Sequence, residues 1–321
     1  MQAYKNKIKI ASKLINKLPS HKLDSNVDVL KKAFDTAYEN DIFALYKYDK
    51  EKQEELKLKL FSKLTPISGS LSFLAIQILA ANSIMNKTNF HKRDFYFKQK
   101  CGIAINHLRV NETVVSATKC QDGYKLNGIL TWASGYKIFD TLLIGFHYEN
   151  KEYEVISEFK KTQGFNILST PKTFVAQSLN TINIELKDFF VKEENIVSAN
   201  EIGNYTRNKS LSKTIHYSLY SLGKGAVKHI ENKRLQTICK NHLKEQKLRF
   251  INSSNPEELD TQRIELFNLV QKIITVSMIN NGGKSILQKS HFQRYYRELI
   301  MFNSNGLNTN IKDLFTQDFL K

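Results

Sequence analysis

Cysteine is scarce in this chain: its 321 residues hold three, Cys101, Cys120 and Cys239, with no paired spacing. That argues against a disulfide framework and a zinc site, and no metal is expected. A reducing compartment follows, and the cytoplasm is the expected one. Long apolar runs are also missing. No window approaches the roughly 20 apolar residues that span a bilayer, so no membrane partner is expected. The first residues, MQAYKNKIKIASKLINKL, interrupt their apolar pattern with Lys5, Lys7, Lys9, Lys13 and Lys17, which leaves no h-region of a signal peptide. There is no internal repeat and no low-complexity tract. Tryptophan occurs once, as Trp132.

Acidic residues are in deficit as well, 31 against 48 Lys and Arg, which gives a net charge of +17. The lysines are spread along the whole chain and often stand beside acids, as in DKEKQEELKLK at 49–59. A nucleic-acid binder concentrates its charge in a stripe or an arm, so no nucleic acid is expected. An anionic cofactor or substrate, such as a nucleotide or a CoA ester, is compatible with this charge. With 41% hydrophobic and 11% aromatic residues the chain has the composition of a globular protein, and its length allows one to three domains.

Three textures succeed one another. Residues 1–98 read as a helical domain: Val27, Leu30, Ala33, Phe34 and Ala37 form one stripe, Leu56, Leu60 and Leu64 continue the pattern, and Ser70–Met85 is apolar nearly all round, the mark of a buried helix. Residues 99–198 change period. Short strands are expected at Cys101–Ile105, Glu112–Thr118, Tyr124–Trp132, Thr141–Tyr148, Glu152–Phe159, Thr173–Ala176 and Thr181–Phe190, separated as in an all-β sandwich or barrel. Residues 199–321 return to helix. Leu211–Leu248 reads as one long helical pattern. A second helix opens at Pro256 and runs to the Asn281-Gly282-Gly283 stop, and further helices cover Phe292–Phe302 and Ile311–Leu320. The fold class is therefore α+β and multidomain, a helical N-terminal domain, a β-barrel or sandwich and a helical bundle.

Gln121–Asp140, QDGYKLNGILTWASGYKIFD, is the most informative stretch. Asp122-Gly123 and Asn127-Gly128 are turn signals, and the strand after them delivers Trp132, Ala133 and Ser134 to a turn at Gly135. An aromatic plane beside a small hydroxyl at a strand end suits a flat heteroaromatic ligand. The Leu126-Asn127-Gly128 and Trp132-Ala133-Ser134 runs resemble the middle-domain signature of acyl-CoA dehydrogenases. In those flavoproteins helical, β and bundle domains follow in the same order. Ile182–Val197 resembles their closing β-domain strand, with Val191-Lys192 in place of a Val-Pro pair. Asn281–Phe302 is similar to their glycine turn and Arg-rich helix, with Arg297-Glu298 where Arg-Asp is usual.

The resemblance implies a flavin cofactor, FAD, with FMN or loosely bound reduced flavin as alternatives. It places Trp132 against the flavin ring and the Ser134 hydroxyl toward flavin N5; the plainer alternatives are a core aromatic and a turn serine. The family's Thr-Glu-Pro and Gly-Ser-Asp motifs are absent, because Ile105–Arg109 runs almost directly into Glu112–Thr118, and the Arg-x-x-Phe motif is not evident. Asn106 and His107 occupy the approximate place of the threonine that bonds the flavin pyrimidine. The usual glutamate base stands before a glycine; here Asn305 precedes Gly306, an amide that cannot act as a base. Gly306 is placed with the cofactor-binding residues or as a helix cap. The other position the family uses for its base, about Lys213–Tyr217, offers His216 and no acid, and a buried histidine with a backbone partner is the alternative there.

A flavin-dependent oxidoreductase acting on an acyl thioester or similar small substrate, carried by CoA or an acyl carrier, is thus implied. The alternatives are a monooxygenase of the same fold that borrows reduced flavin and needs no glutamate, and a degenerate non-catalytic binding member. A homodimer or homotetramer is implied by resemblance alone.

Overall fold

The computed structural model describes residues 2–109, 112–207, 211–304 and 306–320. Helices α1 (Gln2–Ile15), α2 (Val27–Glu39), α3 (Lys50–Leu64), α4 (Gly69–Lys87) and α5 (Arg93–Tyr96) come first. Strands β1 (Cys101–Ala104), β2 (Val115–Cys120), β3 (Gly123–Ala133), β4 (Thr141–Tyr148), β5 (Lys151–Glu158), β6 (Phe165–Ser169), β7 (Ile182–Lys192) and β8 (Ile196–Glu201) follow. Helices α6 (Asn204–Arg207), α7 (Thr214–Val227), α8 (Lys233–Asn252), α9 (Pro256–Asn281), α10 (His291–Asn303) and α11 (Thr309–Phe319) close the chain. They sort into two compact units, one of Met1–Phe73, Phe174–Ser178 and Ser210–Lys321, the other of Leu74–Thr173 and Leu179–Lys209.

In the helical unit, local signals set the helix starts. Asparagine and aspartate side chains accept first-turn N–H groups: Asn26 from Val29, Asp49 from Lys52, Asn232 from Leu235 and Asn255 from Glu257. Of the expected stripe, Leu30, Ala33, Phe34 and Ala37 are fully buried, while Val27, at the first position of α2, is half-buried. The long pattern Leu211–Leu248 is corrected: it breaks into α7 and α8 around Asn232, a cap that carries no glycine or proline to announce it. Helix α4 is long and apolar enough to cross a membrane by length and composition, and 67% of its most apolar window is buried inside the protein. It is a core helix, and it corrects the expectation that no stretch approaches a span.

A buried ion pair organises this unit. Arg294 and Glu298 stand one turn apart on α10, 2.9 Å from each other, and both are almost wholly buried. Glu298 Oε1 also accepts the Gly69 N–H at 2.8 Å, so a carboxylate meets the positive N-terminus of α4. Only glycine fits there, because a Cβ on residue 69 would lie 2.6 Å from Glu298 Cδ. Arg294 and the Tyr295 hydroxyl donate to the Pro66 carbonyl at 2.8 and 3.1 Å. Arg297 reaches Asp24 and the Phe174 carbonyl, each at 2.7 Å, while Asp24 accepts the Ala176 N–H at 2.7 Å. Residues Thr173–Ala176 are therefore not the expected strand; they form a loop held by these polar contacts.

In the sheet unit the eight strands make one mixed sheet in the order β6-β7-β3-β2-β4-β5-β8, with β1 parallel on β4. The β-barrel or sandwich expectation is met by this single mixed sheet. β4 is shared along one edge by β1, paired at Thr141–Ile144, and by β2, paired at His147. It is buried at every position from Thr141 to His147, which its nearly continuous apolar sequence reflects. Tyr124, Phe146 and Tyr153 pack ring on ring with centroids 5.0–5.6 Å apart. A second cluster joins Ala81 and Met85 of α4 to Cys101, Leu143, Ile156 and Val197.

Strands β6 and β8 went unforeseen. β8 is tied down by buried carboxylates of β5: Glu154 accepts the Ser198 hydroxyl at 2.5 Å and the Tyr205 hydroxyl, and Glu152 accepts the Gly203 and Tyr205 N–H groups at 3.1 and 2.9 Å. Burial raises the Glu154 carboxyl above the usual range.

Replacing Glu298 with alanine leaves Arg294 buried without its counter-charge and the Gly69 N–H without an acceptor. The expected loss is about 3–5 kcal/mol of unfolding free energy, read from urea titrations of wild type and variant. A loss below about 1 kcal/mol would show that the pair does not organise the unit.

Candidate functional site

Trp132 lies one residue before the end of β3, where the ladder to β7 breaks register. Leu130 pairs with Ile184 and Ala133 with Ile182, so Thr131 and Trp132 together oppose Asn183 alone. This is a β-bulge, a device that re-aims a side chain. The Trp132 backbone sits in the left-handed region at φ 62°, which costs a bulky residue on the order of 1–3 kcal/mol. Its N–H is taken by the Asn183 side-chain oxygen at 3.1 Å. The indole, the only one in the chain, is left 63% exposed.

The chain then turns at Gly135. Its φ of +88° favours glycine, and a Cβ there would lie 2.2 Å from the Phe139 ring. The Gly135 N–H donates to the Leu179 carbonyl at 2.7 Å, and its own carbonyl accepts from Ile138 and Phe139, both at 2.9 Å. Asn180 closes the turn by donating to the Tyr136 carbonyl at 2.8 Å. Ser134, between tryptophan and glycine, is buried, and its hydroxyl meets that of half-buried Thr181 at 2.8 Å. Two hydroxyls sharing one bond keep one hydrogen for an outside acceptor.

The same face carries exposed Ile129 and Leu168, and the Asn166 amide donates to Glu185 at 3.1 Å. Trp132, Ala133, Ser134 and Gly135 include no group that titrates near neutral pH. This strand end can stack a planar ring and hydrogen-bond its edge, and it moves no proton. It is a binding wall.

Of the other residues selected from sequence, Asn106 and His107 belong to the same unit, on the 3₁₀ turn Asn106–Arg109. His107 Nε2 donates to the Gly145 carbonyl at 2.9 Å, and burial lowers its pKa to about 4, so the ring is neutral. Asn106 is exposed. Ser116 pairs with both Asn127 and His147, which sets Trp132 level with Leu142 on β4. The His107 anchor at Gly145 is therefore about 10 Å further along the strand.

His216 and Gly306 belong to the helical unit. His216 is buried on α7, donates from Nε2 to the Leu259 carbonyl at 2.8 Å and has no partner at Nδ1. Burial lowers its pKa to about 4. Gly306 is exposed in the left-handed region at φ 59°, and its carbonyl accepts from Arg263 at 3.5 Å. Arg263 also binds the Phe302 and Asn303 carbonyls, at 3.3 and 2.9 Å, and so caps α10. Asn305 lies outside the described residues. Sequence reasoning missed Asn183, Thr181 and Ser169. The only signal for Asn183 was its polar place in the alternating strand Thr181–Phe190.

No protein-family model and no curated protein matches the sequence. Solved structures do. Butyryl-CoA dehydrogenase from Megasphaera elsdenii superposes with a TM-score of 0.77 at 11% identity, over 100% of this chain and 99% of that one. The HsaA monooxygenase from M. tuberculosis gives 0.72 at 11%, over 98% and 95%. XiaF from Streptomyces sp., solved with FADH2 and glycerol, gives 0.71 at 12%, over 99% and 94%. At such identities the likeness establishes architecture: this chain has an acyl-CoA dehydrogenase-like fold, with helices before and after a central mixed sheet.

The buried histidines predict a pH dependence. A histidine held near pKa 4 when folded and near 6.5 when unfolded stabilises the fold fully above pH 6.5. That stability is lost as pH falls toward 4, because the unfolded chain takes the proton first. For His216 the loss is about 3 kcal/mol over that range. Urea unfolding at pH 7 and pH 4.5 checks it: wild type should lose about 2–3 kcal/mol more than His216→Gln, whose amide keeps the bond to Leu259 without titrating.

Proposed function

We propose that this chain is a flavin-dependent oxidoreductase that binds FAD and acts on an acyl thioester or a similar small substrate. The observation that carries this reading is Trp132, the sole tryptophan, held exposed on a strained bulge at a strand end of an acyl-CoA dehydrogenase-like fold. The residues fit the group. Trp132 offers a face for the isoalloxazine, and the Ser134–Thr181 hydroxyl pair offers one hydrogen to an acceptor on the ring edge. A bound flavin supplies a two-electron acceptor. The chain's own part at this wall is to stack, orient and exclude water.

One observation favours a second reading, a monooxygenase of the same fold that uses supplied reduced flavin. Abstraction of an α-proton needs a positioned base. At the start of α7, Lys213 donates its ammonium to the Ile251 carbonyl and His216 is buried and neutral, so neither is free to take that proton. The sequence places an amide, Asn305, before Gly306. Such a monooxygenase needs no acid at either place, and the likeness to a structure solved with FADH2 accords with it.

Anaerobic titration with FAD and with FMN, followed by flavin absorbance and Trp132 fluorescence, tests the shared claim. Saturable binding that quenches the indole is expected, weakened about tenfold or more in Trp132→Leu. Bleaching of the bound flavin by acyl-CoA without oxygen selects the first reading. Oxygen uptake that depends on supplied reduced flavin selects the second. A protein that binds no flavin rules out both.

A further inference from the structure

Strand β7 is irregular on both sides at one residue. Toward β3, Thr131 and Trp132 oppose Asn183 alone; toward β6, the pairing skips Leu168 between Ile167–Ile184 and Ser169–Asn183. Asn183 stands between the two breaks, and its side-chain amide bridges them. The oxygen accepts the Trp132 N–H at 3.1 Å and the nitrogen donates to Ser169 Oγ at 3.0 Å. A carboxamide is suited to this place because it presents one acceptor and one donor at the end of a short stem.

A bulge sealed by a side chain is a common structural solution, and this sheet holds another. At the register shift between Leu126 and Gly128, Asn127 exchanges two hydrogen bonds with Asp188, at 3.0 and 3.2 Å. The difference lies in the residue being held. There it is Asp188, at φ 51°, a short polar residue of the kind enriched in that region. At Asn183 it is the only tryptophan, in a left-handed conformation that glycine adopts freely. Strain carried by a large, exposed aromatic residue does nothing for packing, and backbone strain of this kind clusters at ligand sites.

We propose that Asn183, braced by Ser169, is a positioning residue that holds Trp132 in its bulge as a preformed wall for the flavin ring. The inference rests on the flavin reading for its ligand, while the brace is tested independently of it. Without the acceptor of Asn183 the Trp132 N–H is unpaired, the left-handed backbone relaxes, and the indole leaves the orientation the ring needs.

The chain's single tryptophan makes the test site-specific. In Asn183→Leu, the fluorescence anisotropy of Trp132 should fall and its acrylamide quenching should change, with the far-UV circular dichroism of wild type retained. FAD affinity should weaken about tenfold or more. Asn183→Asp, which keeps the acceptor and can take a hydrogen from Ser169, should restore both within about threefold. Should Asn183→Leu not fold, Ser169→Ala loosens the same amide at the exposed sheet edge and should lower the anisotropy alone. Unchanged anisotropy in a folded variant overturns the brace. Wild-type protein that binds no FAD overturns the flavin reading, and the anisotropy still decides the brace.

Discussion

The helical unit depends on one buried charge contact. Arg294 and Glu298, nearly free of solvent on α10, satisfy each other and then reach outward to the Pro66 carbonyl and the Gly69 N–H. A desolvated ion pair is tolerated only when its remaining donors and acceptors are filled, and here backbone groups fill them. Arg297, on the same helix, extends the contact to Asp24 and to the loop Phe174–Ser178. Three stretches far apart in sequence meet on one face of α10. Apolar stripes bury these helices without fixing which turn meets which; directional bonds to single carbonyls and N–H groups fix it.

The sheet unit divides its work differently. Positive φ recurs in its turns and at its bulges, and at the bulges the chain fills the position by need. Gly128 stands where another strand's backbone comes too close for any side chain; Trp132 stands where a side chain is presented outward. Burial keeps His107 and His216 neutral at ordinary pH, so neither adds charge to its unit. What faces outward beside Trp132 is hydroxyl, amide and aliphatic surface, with the Glu185 carboxylate held by Asn166. Such a surface selects by shape and hydrogen bonding.

Much of the architecture was legible because it is written in short-range patterns. The stripe of α2, the proline and acids opening α9, and the run Leu126–Ser134 each signal their own local geometry. Trp132, Ser134 and the turn at Gly135 were readable for the same reason. Asn183 was not, since a bulge is a property of the register between strands about fifty residues apart, and no local spacing reports it. In the sequence, Arg297 and Glu298 are adjacent letters. In the fold they part, Arg297 toward Asp24 and Glu298 toward Arg294 and Gly69, because neighbours in a helix point about 100° apart. The break before α8 was hidden because an asparagine cap does the work that glycine or proline would have announced.

The helical unit is also discontinuous. It is assembled from the beginning of the chain, a five-residue segment at Phe174–Ser178 and everything after Ser210. During synthesis the sheet unit is complete once Lys209 has emerged, whereas Asp24 and Gly69 wait for α10, and α3 for α7, before their closing contacts exist. Contacts between residues 229 and 273 positions apart close late, because loop closure opposes them until both ends are present. Helices α1 to α3 pack on one another as they emerge, but the face that α3 gives to α7 waits without its partner until that helix is made. Exposed apolar surface of this kind makes a nascent protein prone to self-association. The surplus of lysine in these helices opposes that self-association by like-charge repulsion.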